Sequence, residues 1–206
     1  MPRREMISLK LKSINMGKLK SHLAGKPLGL KKGKVILCAY NRAWPGLFRA
    51  EKNLLKTNLG KLAVAISHVG STAVPGLCAK PILDILVSVA SIEKAENKIS
   101  SFERCGYRVK PREEDPVPGR LFFSKDIDGL RCFHLHATVA GSTFCKEHLR
   151  FRNILRKDTK AAQAYARLKL RLSKRFPYDR NGYIDGKAKF IAGVLCKNPI
   201  NRKKTV

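Results

Sequence analysis

The sequence predicts an α+β fold, a mixed β-sheet flanked by helices with a C-terminal helical section, on three observations. Short apolar strands crowd the middle of the chain: one over 64–68, a continuous Ile/Leu/Val run over 82–89, and two alternating runs over 121–123 and 131–139. From Ser142 onward apolar residues recur at helical spacing instead. Strands first and helices afterwards, with no internal repeat, separate the two element types along the chain rather than alternating them. At 206 residues the chain has room for one domain with its own core.

The elements follow in order. Residues 1–34 carry a single acid, Glu5, among many lysines and are broken by glycines and Pro27; they read as a flexible basic arm. The folded domain is read over 35–197 and a basic tail over 198–206. A short strand is predicted over 35–39. A helix follows over 41–59, with Trp44, Leu47, Leu55 and Leu59 near helical spacing and Pro45 early, where a helix tolerates it. Gly60 stops it. The run 91–105 predicts one helix capped by Ser91, and 107–109 a short strand before an acidic, proline-rich loop over 111–119. The runs 121–123 and 131–139 form a hairpin around a turn at 126–129. Three helices close the chain, over 142–156, 159–176 and 183–196.

Lysine and arginine number 43 against 15 acids, a formal net charge of +28. Such a surface attracts polyanions, RNA among them, through a salt-sensitive and sequence-independent interaction. No apolar run approaches the roughly 20 residues that span a bilayer. Six cysteines lie far apart, without CxxC or zinc spacing, and the basic start leads into no apolar leader segment. Reduced thiols in the cytoplasm are the expectation.

The residues that point to chemistry lie between 68 and 136. Gly70-Ser71 forms a small-residue turn whose backbone a phosphate can approach. Asp84 interrupts an otherwise apolar strand, and a buried carboxylate needs a partner or a task. His134 and His136, two apart on a strand, share one face, while Phe133, Leu135 and Ala137 take the other. Imidazoles so paired suit a divalent metal, a phosphate or proton transfer. Arg120 and Lys125 on one hairpin arm, Arg131 on the other, and Lys80 ahead of Asp84 supply positive charge for a polyphosphate.

These residues resemble the GrpB family, which belongs to the nucleotidyltransferase-fold superfamily. The resemblance is carried by Tyr40 with Trp44-Pro45, His68-Val-Gly-Ser-Thr-Ala-Val-Pro-Gly76, Lys80-Pro-Ile-Leu-Asp84, His134-Leu-His136, Phe151-Arg152, Tyr165 with Leu168-Lys169, and Tyr183 with Gly186-Lys187. It implies a nucleotidyltransferase-like sheet, with Gly70 and Ser71 holding nucleotide phosphates and Asp84 holding Mg²⁺ or Mn²⁺. In that fold a second acid stands two residues from the first, yet positions 82 and 86 are Ile and Leu, and the hairpin strand offers His134 and His136 where a third acid belongs. Asn153 also follows Arg152 where the family pattern has an acid. Three functions remain open on this reading. They are nucleotidyl transfer from a nucleoside triphosphate, with Asp84, His134 and His136 catalytic; a nucleotide- or RNA-binding module with a degenerate site; and a basic accessory protein on RNA.

Overall fold

The computed structural model describes residues 28–114 and 117–198. Five strands form one sheet in the order β1-β2-β5-β4-β3, with β1 Ala63–Val69, β2 Leu83–Val89, β3 Arg108–Val109, β4 Arg120–Ile127 and β5 Leu130–Val139. β2 and β5 run parallel and every other neighbouring pair antiparallel, so the sheet is mixed. The helices are α1 Trp44–Leu59, α2 Ile92–Glu96, α3 Ile99–Glu103, α4 Thr143–Lys157, α5 Thr159–Arg175 and α6 Arg180–Lys197.

Strand alternation sorts the side chains. On β2 the odd residues Leu83, Ile85, Val87 and Val89 join Phe123, Phe133, Leu135 and Ala137 in the main core, sealed by Leu47 and Leu55 of α1 and Phe102 of α3. The even residues face the opposite side, where α4 covers only one end through a small cluster of Val69, Leu86 and Cys145. α5 and α6 pack against the segment between β1 and β2, on Val74 and Leu77. Gly186 lets these two helices close up: a Cβ there would lie 2.5 Å from Leu172 Cδ2.

Local signals explain most boundaries. Pro45 sits in the first turn of α1, and Gly60 ends it at φ 52°. The hairpin joining β4 and β5 turns on Asp128 and Gly129, both at positive φ, as a two-residue loop of right-twisted strands requires. Asp158 and Asp179 cap α5 and α6 by accepting from Ala161 and Gly182 amides.

Five readings of the sequence are corrected. The arm predicted over 1–34 reaches too far: Leu28 and Leu30 are buried, and Leu30 bridges to Arg131. The rest of that arm, and the tail beyond residue 198, lie outside the described residues. The strand over 35–39 is a single bridge, Cys38 to Ala79, with Val35 buried and Ile36 turned outward. The helix over 91–105 is two short helices; Ser91 does cap the first, accepting from the Lys94 amide. The last helix starts three residues early, at its Asp179 cap.

Lys125 is the fifth correction, and it removes a proposed phosphate ligand. It sits opposite Phe133 on the core face of β4, and its Nζ lies 2.7 Å from Glu51 Oε1 of α1. The two side chains are 6% and 2% exposed. Arg120 and Lys125 are five apart on one strand, an odd spacing that puts them on opposite faces. Removing one partner of such a buried pair strands a charge, at about 3–5 kcal/mol, whereas an apolar pair of similar volume is near neutral. Lys125→Met alone is expected to lower unfolding free energy by that amount in guanidinium titrations. Lys125→Met with Glu51→Leu is expected to recover most of it.

Candidate functional site

The register of β2 against β5 builds the site. Asp84 pairs with His134 and Leu86 with His136, while β4 sets Phe122 against His136 from the other side. Pairing keeps these residues in phase, so Asp84, His134, His136, Phe122 and Arg120 emerge on the face the first helices leave open. α4 and α6 stand off that face and enclose a cleft of about 520 Å³. Its far wall is one stripe of α6: Arg180, Tyr183, Ile184, Lys187 and Ile191.

At its floor Asp84 Oδ1 lies 3.2 Å from His134 Nδ1, with the two side chains 31% and 12% exposed. Burial alone would raise the Asp84 carboxyl. The His134 hydrogen bond, together with Lys80 and the charge that His134 and His136 take on only in acid, where the carboxyl titrates, outweighs it and takes the carboxyl down to about 2. Burial lowers His134, against the opposing pull of Asp84. With Asp84 ionised and His134 neutral, Nδ1–H donates to the carboxylate, and Nε2 keeps its lone pair toward the cleft. His136 is held neutral by burial, which pushes it well below its usual value. Arg120 Nη1 donates to His136 Nδ1 at 3.3 Å, and its guanidinium lies 5.3 and 5.1 Å from the rings of Phe122 and Phe144.

Gly70 is required by the acid as much as by any ligand. It adopts φ 70°, and a Cβ there would lie 2.2 Å from Asp84 Oδ2. The carboxylate therefore packs directly on the turn, with Ser71 at the cleft edge near Tyr165. Lys80 and Lys187 flank the Tyr183 ring, their Nζ atoms 5.4 and 4.5 Å from its centroid. Burial lowers both, Lys187 to about 8 with the charge of Lys80 adding to the effect. Behind them Lys169 is 1% exposed; its ammonium donates to the Cys78 carbonyl and lies 4.8 Å from the Tyr165 ring.

The cleft thus brings together Gly70, Ser71, Lys80, Asp84, Arg120, His134 and His136 of the residues singled out from sequence. It excludes Lys125 and Arg131, whose guanidinium pairs with Asp126 at the hairpin end. His148, Arg180 and Tyr183 also line it. His148 donates Nδ1–H to its own helix at Phe144 O, 2.8 Å away, which leaves Nε2 for the cleft. The spacing 180, 183, 184, 187, 191 marks one helix face, the signal that leads to Arg180 and Tyr183.

The donors do not fit a bound magnesium. Among the described residues no three His, Cys, Asp or Glu side chains converge as a metal-holding group. Asp84 has one oxygen committed to His134 and the other against Gly70, whereas magnesium needs several oxygen ligands at short, near-octahedral distances. The cleft instead sets four cations, Lys80, Arg120, Arg180 and Lys187, against two carboxylates, Asp84 and Glu147.

Among the described residues, no helix is long and apolar enough to cross a membrane. The UPF0157 protein YqkA of Bacillus subtilis is 38% identical over 160 residues, covering 78% of this chain, which spans under half (46%) of that relative. The glutamate-rich protein GrpB of Alkalihalophilus pseudofirmus is 34% identical over 172 residues, 82% of this chain and 98% of that one. A crystal structure of the conserved protein GrpB from Enterococcus faecalis superposes with a TM-score of 0.70 at 36% identity, covering 77% of this chain and 94% of that one. Residues 34–197 match the family described as GrpB protein, and the chain belongs to that family.

Proposed function

We propose that the cleft binds a nucleoside triphosphate, in a nucleotidyltransferase-type pocket where fixed lysines and arginines neutralise the phosphates. The observation that carries this reading is the convergence of Lys80 and Lys187 on Tyr183. Two desolvated ammonium groups face one cleft, and neither forms an ion pair among the described residues. Like charges forced together out of water are unfavourable until an anion joins them. Arg120 and Arg180 extend the same potential along the cleft. The apolar side chains of Ile184, Ile191 and Phe151 line the same cleft and suit the nucleoside.

The Asp84–His134 pair favours transfer as well as binding. An acceptor hydroxyl at His134 Nε2 would give up its proton there while its oxygen attacks the α-phosphorus. The bond from that phosphorus to the bridging oxygen breaks, and pyrophosphate leaves with the electron pair. Asp84 would orient the imidazole and stabilise its charged form.

In thermal-shift titrations a nucleoside triphosphate at a hundred times its Kd adds about 2.7 kcal/mol, a rise of about 5–10 °C for a domain of this size. With ATP, GTP, CTP and UTP run in Mg²⁺, Mn²⁺ or chelator, at least one is expected to give such a rise. The rise should vanish in Lys80→Gln/Lys187→Gln. Equal shifts in the variant and the wild type would sink the reading and point to generic anion binding.

Affinity should also depend on pH with a definite sign. With its pKa lowered to about 8, the Lys187 ammonium is half charged at that pH, increasingly charged below it and progressively lost above it, and the phosphates need the charged form. Calorimetric affinity is therefore expected to fall from pH 7.5 to pH 9.5 in the wild type and to change less in Lys187→Gln.

The transfer step has its own readout. His134→Ala is expected to leave nucleotide affinity within about twofold while slowing pyrophosphate release by about 10²–10⁴-fold. Unchanged release would remove His134 from the chemistry.

A further inference from the structure

Three arginines converge on the reverse side of the turn Ser71–Ala73, away from the cleft. Arg152 and Arg156 lie one helical turn apart on α4. Arg152 Nη1 donates to His68 O at 2.8 Å, and its Nε and Nη2 donate to Asn153 Oδ1 at 3.0 and 2.9 Å. Arg156 Nε donates to Ala73 O at 2.8 Å. Arg49 of α1 stands across from them, and none of the three meets a carboxylate among the described residues. Together they border a shallow hollow of about 330 Å³ that also holds Tyr40 and Phe48.

Like charges at i and i+4 repel. Burial, with the charge of Arg156, already lowers Arg152. Backbone carbonyls hold Arg152 and Arg156 in place without cancelling their charge, so the hollow is preorganised for anions. Phe48 is engaged, stacked on His68 at 4.8 Å, whereas Tyr40 packs edge-on against Trp44 and is half-buried at the hollow's rim. Arginines that grip phosphates beside an aromatic ring that takes a base are the means by which proteins hold single strands.

We propose that this hollow binds single-stranded nucleic acid, with the three arginines on successive phosphodiesters and one base stacked on Tyr40. It does not depend on what the cleft binds. The +28 net charge would bring any polyanion near; the hollow is what would select a flexible strand over a rigid duplex.

The test is fluorescence anisotropy of the full chain with labelled single-stranded RNA, the same DNA sequence, and its duplex, over a range of salt. Arg49→Gln/Arg152→Gln/Arg156→Gln removes three charges at the hollow. Lys160→Gln/Arg171→Gln/Lys174→Gln removes three exposed charges on α5. The hollow variant is expected to weaken single-strand binding more than about tenfold and to flatten the salt slope by about 2, since each phosphate contact contributes about 0.7. The α5 variant should lose less than about threefold. Tyr40→Ala should lose about fivefold or more at unchanged slope. Arg152→Lys/Arg156→Lys keeps both charges and should stay within about threefold of wild type, which guards against a folding defect in the glutamine variant. Lys80→Gln/Lys187→Gln should bind the strand as wild type does, separating this site from the cleft. Equal losses in the two triple variants, a silent Tyr40→Ala, or duplex bound as tightly as single strand would overturn the proposal.

Discussion

Parallel pairing of β2 with β5 is the constraint on which the rest of the molecule depends. Two parallel strands in register keep their side chains in phase, so Asp84 beside His134 forces Leu86 beside His136 and commits both histidines to the acid's face. Parallel neighbours cannot be joined by a tight turn, so the chain between them must leave the sheet and return. On that excursion it lays down α2 and α3, which with α1 cover one face only. The other face keeps a polar row that cannot be buried without partners. The C-terminal helices cover its rim and leave the centre open.

A carboxylate in an apolar strand is tolerated because its surroundings were built around it. Desolvation opposes its charge, yet His134, His136 and Lys80 together hold it ionised. The turn at Gly70 admits the second oxygen where any side chain would collide. Lys169 works on the same loop from the other end. It is a buried cation bonded to a backbone carbonyl rather than a carboxylate, and it ties Cys78 to α5 and so fixes the segment that carries Ser71 and Lys80. Charge is thus used structurally, to pin the loop, and electrostatically, to bias the cleft toward anions.

Much of this was legible in the sequence. Alternation alone put His134 and His136 on one face and Phe133, Leu135 and Ala137 in the core, and the single acid in the run 82–89 marked Asp84. What failed was long-range. Lys125 sits in an alternating strand, and its parity against Arg120 already separated the two. Its partner Glu51 lies 74 residues away on a helix, and no local pattern reports that. The break of the predicted helix at 97–98 and the inclusion of Leu28 and Leu30 are packing outcomes of the same kind. The α6 stripe was visible as spacing, but spacing does not say whether such a face meets core or cavity. Lys187 and Arg180 acquired their meaning only once β2 and β5 were opposite them.

One position bears on how strongly cationic the cleft is. Asp84 has two alternate neighbours, residue 86 on its strand and residue 82 just before it. Leu86 is fully buried beneath α4 with Val69 and Cys145, where an unpaired carboxylate would cost several kcal/mol, so helix packing closes that position to an acid. Ile82 is also buried, but it borders the cleft, with Lys80 two residues away. A carboxylate there would stand two residues from Lys80 and from Asp84, supplying a second oxygen ligand for a divalent cation while offsetting one of the cleft's positive charges. Isoleucine does neither. It leaves four cations facing two acids, so the electrostatic character of the cleft is set by the protein's own ammonium and guanidinium groups.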